Sequence, residues 1–171
     1  MSLRIPLTAV IALALASAAV AAPPRLSPNG WGKLRIGMRE RDAVKLFHMR
    51  VAGGPGPRID SSECRQDEVP SQEGMFVMAE RGIVTRITIE APSNLRTDRG
   101  LSVGSTETEV KRAYGPALNI TTTPYEAEPA HELTFWSVRG KRGIRYDTNT
   151  SGSVEAIYVG TGAIEYIEGC S

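Results

Sequence analysis

The sequence has little of the chemistry on which most enzymes and metal sites depend. Its 171 residues include only two cysteines and two histidines. No close cysteine and histidine spacing supplies the four ligands of a structural zinc. The patterns of a nucleophile elbow, a phosphate loop, a zinc-protease helix and a dinucleotide fingerprint are also missing. We therefore expect a non-enzymatic protein that holds no metal and no cofactor.

An excess of positive charge is also missing. The chain carries 20 lysine and arginine residues against 19 aspartate and glutamate residues. Without residues 1–21, which contain only Arg4 as a charged residue, the two totals become 19 and 19. Nucleic-acid binding depends on many phosphate contacts and a clear positive excess. We expect no nucleic-acid partner.

Long apolar runs are absent beyond the N-terminus. There, Arg4 precedes an apolar run from Leu7 to Val20, and Ala19-Val20-Ala21 fits the small-residue pattern at which signal peptides are cut. The run is short for a membrane span, which needs about 20 apolar residues. We predict a signal peptide over 1–21, with no lipid-acceptor cysteine after the cut. The mature chain is then periplasmic or secreted and does not span the membrane.

The remaining chain has the length of one domain. We predict an extended tail over 22–30 and a single domain over 31–171. An oxidising compartment favours pairing of the two cysteines, Cys64 and Cys170. Free thiols or metal-binding thiols are the alternative.

A repeat organises this domain. The stretch "LRIGMRERDAVKLF" (34–47) is echoed by "LSVGSTETEVKRAY" (101–114), which starts 67 positions later. Apolar residues at i, i+3 and i+4 give each stretch one helical stripe. In the second stretch, Thr106 and Glu109 have the spacing of a capping box, whereas the first stretch lacks a hydroxyl cap. Gly37 and Gly104 are expected in the turn before each helix.

Alternating strand patterns follow each helix. Segments 74–80 and 82–90 align with 143–149 and 152–160 at offsets of 69 and 70, and segments 118–123 and 132–138 add further strands. The segments 51–58 and 91–100 are typical of loops. The predicted fold is α+β, with repeat one over 31–92 and repeat two over 100–171. Each repeat is a helix followed by antiparallel strands, and the helices form a layer on one face of the sheet.

In the glycine turn, the helix and the strands after it, the chain resembles beta-lactamase inhibitory proteins and the small outer-membrane assembly lipoproteins. The resemblance covers residues 34–160. It implies a tandem helix-plus-sheet fold and a binding role. It identifies no partner and assigns no contact residue.

The face of the sheet away from the helices is the candidate binding surface. If Ile87 and Ile89 face the helices, strand alternation places Arg86 and Thr88 on the opposite face. The alignment of the two repeats places Tyr158 on the same face. Phe135 and Trp136 must lie on opposite faces, and we place Trp136 on the helix-free one. Tryptophan, tyrosine and arginine dominate binding sites, so an envelope protein or a glycan is the expected partner. Alternatively, these rings only cover the edge of a small core, or a homodimer buries them.

Two other functions stay open. His131 is the best candidate for acid–base chemistry in a small hydrolase, although its neighbour Glu132 points to the opposite side of a strand and cannot orient it. His48 is as well explained by contacts with the end of the first helix. The first helix and its flanks are rich in arginine and lysine, which is typical of a solvated helix face. The same residues also fit an envelope structural factor recruited to an anionic surface.

Overall fold

The computed structural model describes residues 22–52, 63–124 and 127–170. The predicted signal peptide of residues 1–21 and positions 53–58 of the predicted first loop lie outside the described residues. Within the described ranges, no helix is long and apolar enough to cross a membrane.

The described ranges contain two α-helices and antiparallel sheets, so the fold class is α+β, as predicted. The helices are α1 (Glu40–Phe47) and α2 (Glu107–Tyr114). A small three-stranded sheet contains β1 (Leu26–Ser27), β2 (Gly30–Trp31) and β3 (Leu34–Arg35). The main sheet has eight strands: β4 (Arg50–Val51), β5 (Cys64–Glu68), β6 (Met75–Glu80), β7 (Ile83–Glu90), β8 (Leu118–Thr122), β9 (His131–Val138), β10 (Arg142–Thr148) and β11 (Val154–Gly160). Its strand order is β4-β5-β6-β7-β11-β10-β9-β8.

The core lies between the helices and one face of the main sheet. Ala43 of α1 and Val110 of α2 are fully buried in one apolar cluster with Ile87, Ile157 and Leu133 from three strands. Alternate residues of a strand face opposite sides of the sheet. The residues next to Ile87, Ile157 and Leu133 along their strands therefore lie on the other face. The helices therefore leave a second face, which we call the helix-free face.

Each helix begins from a glycine turn bonded to a strand. Gly37 and Gly104 have φ angles of +90° and +84°, which favour glycine over residues with a Cβ. The amide of Gly37 donates to the carbonyl of Val84 at 2.8 Å, and that of Gly104 donates to Val154 at 2.7 Å. These bonds attach the start of α1 to β7 and the start of α2 to β11.

The two helices differ in how they begin, as the sequence predicts. Thr106 accepts a hydrogen bond from the Glu109 amide at 3.3 Å, and Glu109 accepts one from the Thr106 amide at 2.7 Å. This is a complete capping box. The residue at the equivalent position of α1, Arg39, makes no capping bond through its side chain.

The segment predicted as an extended tail, 22–30, contains strand residues. Leu26 is 1% exposed, and its backbone is bonded to Arg96 and Asp98 in the segment predicted as a loop. Burial of Leu26 ties this segment to the domain.

A disulfide joins Cys64 to Cys170, as predicted, over a sequence separation of 106. It fastens the C-terminal strap, by which we mean residues 161–170, to β5, the strand next to the β4 edge of the sheet. Arg86 of β7 donates to the carbonyls of Ala163 at 3.2 Å and Tyr166 at 3.0 Å. The strap therefore runs across part of the helix-free face.

Candidate functional site

A row of paired residues crosses the helix-free face. Thr134 of β9, Arg145 of β10, Tyr158 of β11, Thr88 of β7 and Phe76 of β6 are successive cross-strand partners. Antiparallel pairing brings such residues within side-chain contact. The row passes through the centre of the sheet, so its shape is fixed by strands rather than by loops.

Tyr158 lies between two guanidinium groups at the middle of this row. The Arg145 Cζ is 4.5 Å from the centre of the tyrosine ring, and the Arg86 Cζ is 5.3 Å from it. Cations at this distance are attracted by the electron-rich face of the ring, by about 0.5 to 2 kcal/mol depending on desolvation. The ring is half-buried, and the two arginines hold it in place.

Arg145 is itself held by two carboxylates. Its Nε lies 2.9 Å from Asp147 Oδ1 and its Nη2 lies 2.9 Å from Asp147 Oδ2, while Nη1 lies 3.6 Å from Glu132 Oε1. Arg145 is 2% exposed. A charge removed from water in this way requires paired, hydrogen-bonded partners. Arg145 Nη2 donates a hydrogen bond to Asp147 Oδ2, whereas the Nε–Oδ1 contact is an ion pair without hydrogen-bond geometry.

Burial changes the acidity of this network. It raises the pKa of Asp147 to about 6, although the Arg145 guanidinium acts in the opposite direction and Glu132 adds to the increase. Burial likewise raises the pKa of the Tyr158 hydroxyl to about 12, with a further increase from Asp147. Shifted pKa values are common at functional sites, and structural ion-pair networks also produce them.

The structure separates the four predicted binding residues into two groups. Arg86 is 4% exposed and Thr88 is 3% exposed. The C-terminal strap covers Arg86, and Thr88 lies between its cross-strand partners Tyr158 and Phe76. The expectation that both residues lie on an open surface therefore needs correction. Tyr158 and Trp136 are half-buried, so they keep surface that a partner can contact. The strap is far from β7 in sequence, and strand alternation alone gives no signal of it.

Trp136 lies on the helix-free face, and its neighbour Phe135 packs on the Tyr114 ring of α2 at 4.8 Å. A Cβ built on Gly143 would lie 2.7 Å from Trp136 and 2.8 Å from Ile164. Only glycine at position 143 leaves room for the indole and the strap together. Trp136 borders a cleft of about 580 Å³, whose other lining residues are Ala117, Leu118, Asn119, Thr134, Phe135, Arg139, Gly140 and Glu165.

His131 has a partner that sequence neighbours did not reveal. Its Nδ1 lies 3.1 Å from Glu107 Oε2 in α2, and its Nε2 lies 3.3 Å from Glu128 Oε2. Burial raises the pKa of Glu107, but hydrogen bonds from Lys111 and His131 outweigh it and leave the pKa lowered. Both ring nitrogens thus face carboxylates. Glu107 is far from His131 in sequence, so only the strand-to-helix packing brings the two together.

The basic residues around α1 stay at the surface. Arg35, Arg39 and Lys45 are exposed, and Arg41 forms an exposed ion pair with Asp42 at 3.5 Å. An exposed pair of this kind adds little to stability. In the described part of the chain, no group of three or more His, Cys, Asp or Glu residues is arranged to hold a metal.

Comparison of the chain with family models, with curated proteins and with solved structures finds no match.

Proposed function

We propose that this protein is an exported, non-enzymatic binding module that holds an envelope protein or a glycan through its helix-free face. The observation that carries the proposal is the setting of Tyr158, a half-buried ring fixed between two buried guanidinium groups. Buried ion pairs are weak evidence for stability, because apolar residues of similar volume often serve a core better. A charged network around one accessible ring is better explained by recognition.

The neighbouring groups favour a partner rich in hydrogen-bond donors. Glu132 and Asp147 are half-buried carboxylates that contact Arg145, the residue paired with Tyr158, and Glu90 on the same face is exposed. Trp136 adds an aromatic wall to the cleft at the sheet end, together with the amide of Asn119. Sugar hydroxyls and backbone amides both bind to this mixture of rings and acceptors.

The proposal includes two related halves. The sheet order runs outward from β7 and β11 through equivalent strands in each half. The Glu40 amide donates to Gly82 at 2.8 Å, and the Glu107 amide, 67 residues later, donates to Gly152 at 2.9 Å. Such a match in backbone bonding supports the tandem repeat. The resemblance to inhibitory and assembly proteins of this design also favours binding over catalysis.

Export to the periplasm or beyond is part of the same proposal. A disulfide such as Cys64–Cys170 is typical of an oxidising compartment. The signal-peptide pattern of residues 1–21 points the same way.

The test is photo-crosslinking in the native envelope from a probe placed at Tyr158, with the same probe at Leu46 as control. Leu46 is a 46% exposed residue of α1, on the opposite side of the sheet. The proposal predicts one dominant protein or glycan captured at position 158 and not at 46. Equal capture at both positions, or no capture at 158, would reject the helix-free face as the binding surface.

A second candidate function rests on the contact between His131 and Glu107. A carboxylate on Nδ1 orients an imidazole and favours proton transfer at the other nitrogen. Glu128, which occupies Nε2, has a side chain that is 64% exposed. A hydrolase screen tests this candidate: turnover that His131→Ala abolishes in a folded variant supports it, and a rate unchanged by the substitution rejects it.

A further inference from the structure

Among residues 22–52, 63–124 and 127–170, no strand pairs with the outer edge of β8. The sheet order of this part of the chain ends at β8, and four of its five residues are exposed. Proteins usually protect such edges with charged residues, proline, bulges or very short strands. The sequence of β8, "LNITT", contains no charged residue and no proline, and its pairing with β9 has no register shift.

The opposite edge of the sheet shows the protection that β8 lacks. There, β4 has only two residues. Arg50 at its start lies 3.7 Å from Glu68 on the neighbouring strand. A short strand with a charged side chain discourages pairing with another chain. The two ends of one sheet therefore differ in whether they can accept another strand.

An apolar row leads to the β8 edge and stops there. On the helix-facing side, Ile89, Ile157, Tyr146, Leu133 and Ile120 are successive cross-strand partners. The first four are at most 1% exposed, whereas Ile120 is 40% exposed. A strand added beyond β8 covers Ile120 and supplies bonds for the outward amides and carbonyls of the edge.

We infer that β8 of a second copy of this chain is that added strand, paired antiparallel about a twofold axis at Ile120. In this register Ile120 faces its own copy, Asn119 faces Thr121, and Leu118 faces Thr122. No two like charges meet, because the strand has none, and β-branched side chains pack well as cross-strand pairs. A twofold axis also makes the contact self-limiting, so the product is a dimer with one continuous sheet.

The interface is small. Stable complexes bury about 1,200 to 2,000 Å², and a five-residue strand pair buries less. We therefore expect a reversible dimer that forms at roughly 10 to 100 μM.

Sedimentation velocity of the disulfide-bonded protein over this concentration range tests the inference, together with a charge exchange at Ile120. Ile120→Lys and Ile120→Glu place like charges opposite each other, so each variant alone is expected to dimerise about tenfold or more weakly. An equimolar mixture is expected to recover the dimer, because the twofold register sets Lys against Glu. Ile167→Lys, at an isoleucine 51% exposed in the strap, is the control and should dimerise like the wild type.

A wild type that stays monomeric at several hundred micromolar would overturn the inference on its own, whether or not the variants fold. Variants that dimerise like the wild type, or a mixture that stays monomeric, would overturn the register. Leu118 and Asn119 belong both to this interface and to the Trp136 cleft, but Tyr158 lies on β11, three strands away from β8, so its role in binding is tested separately from the dimer.

Discussion

Arg145 binds Asp147 through two contacts of 2.9 Å on the helix-free face. The two residues are two apart on β10, so their side chains share one side of the strand. The contact fixes the guanidinium beneath the Tyr158 ring, 4.5 Å from its centre. The position of Tyr158 thus depends on the Asp147 carboxylate, and burial disfavours the ionised form of that carboxylate.

Replacing Asp147 with asparagine should change how stability depends on pH. Burial raises the pKa of Asp147 from 3.8 to about 6, so the folded state binds more protons than the unfolded state between these values. The free energy of unfolding of the wild type, relative to Asp147→Asn, should therefore fall as pH rises from 4 to 6. At 1.36 kcal/mol per pKa unit the complete titration is worth about 3 kcal/mol, of which about 2 kcal/mol is lost between pH 4 and 6. Urea unfolding of both proteins at pH 4, 5, 6 and 7 measures it.

Subtracting the two curves removes the contribution of other titrating groups, such as Glu107, whose pKa is lowered. Asparagine resembles the protonated aspartic acid, so the two proteins should be nearly equal in stability at pH 4. A difference that stays flat, or that increasingly favours the wild type at higher pH, would contradict the account of this network.

Removing the disulfide should cost a large share of the stability. In the chain-entropy model, a bridge that closes a loop of about 100 residues contributes about 4 to 5 kcal/mol, and Cys64 and Cys170 are 106 residues apart. The double variant Cys64→Ser, Cys170→Ser should unfold at correspondingly lower urea concentration. Reducing agent should destabilise the wild type and leave the variant unchanged. A loss below about 1 kcal/mol would mean that the strap stays in place without the bridge.

The helix caps offer a matched comparison. Thr106→Ala removes the side-chain half of the capping box and should lower the free energy of unfolding by about 1 kcal/mol. Arg39→Ala, at the equivalent position of α1, removes no capping bond and should change it by less than about 0.5 kcal/mol. Thermal or urea unfolding of the two variants measures both values. Equal effects would show that the hydrogen bonds of Thr106 contribute nothing.

The sequence predicts the parts of this fold that depend on local pattern. Both helices, the capping box at Thr106 and the strands of the two aligned hairpins follow from periodicity and turn residues. Strand β5, "CRQDE", was missed because its polar side chains hide the alternation. Its Asp67 is 3% exposed and lies 3.2 Å from Arg65, so an ion pair takes the place of an apolar side chain.

The candidate site was predicted only in part, because some of its contacts join residues that are far apart in the sequence. Alternation correctly separates Phe135 from Trp136, because it depends on neighbouring residues alone. The burial of Arg86 depends on carbonyls of Ala163 and Tyr166, which lie 77 and 80 residues away. Contacts of this range leave no periodic signal in the sequence.

The most direct test of the central claim is the affinity of the species captured at position 158 for the purified protein and its variants. Tyr158→Ala should weaken binding by about tenfold or more, as expected for an aromatic residue at the centre of an interface. Trp136→Ala should weaken it in the same direction, while Leu46→Ala, at an exposed residue of α1 on the other side of the sheet, should leave it unchanged. Equal affinity of the wild type and a folded Tyr158→Ala variant would contradict the claim that the helix-free face binds the partner.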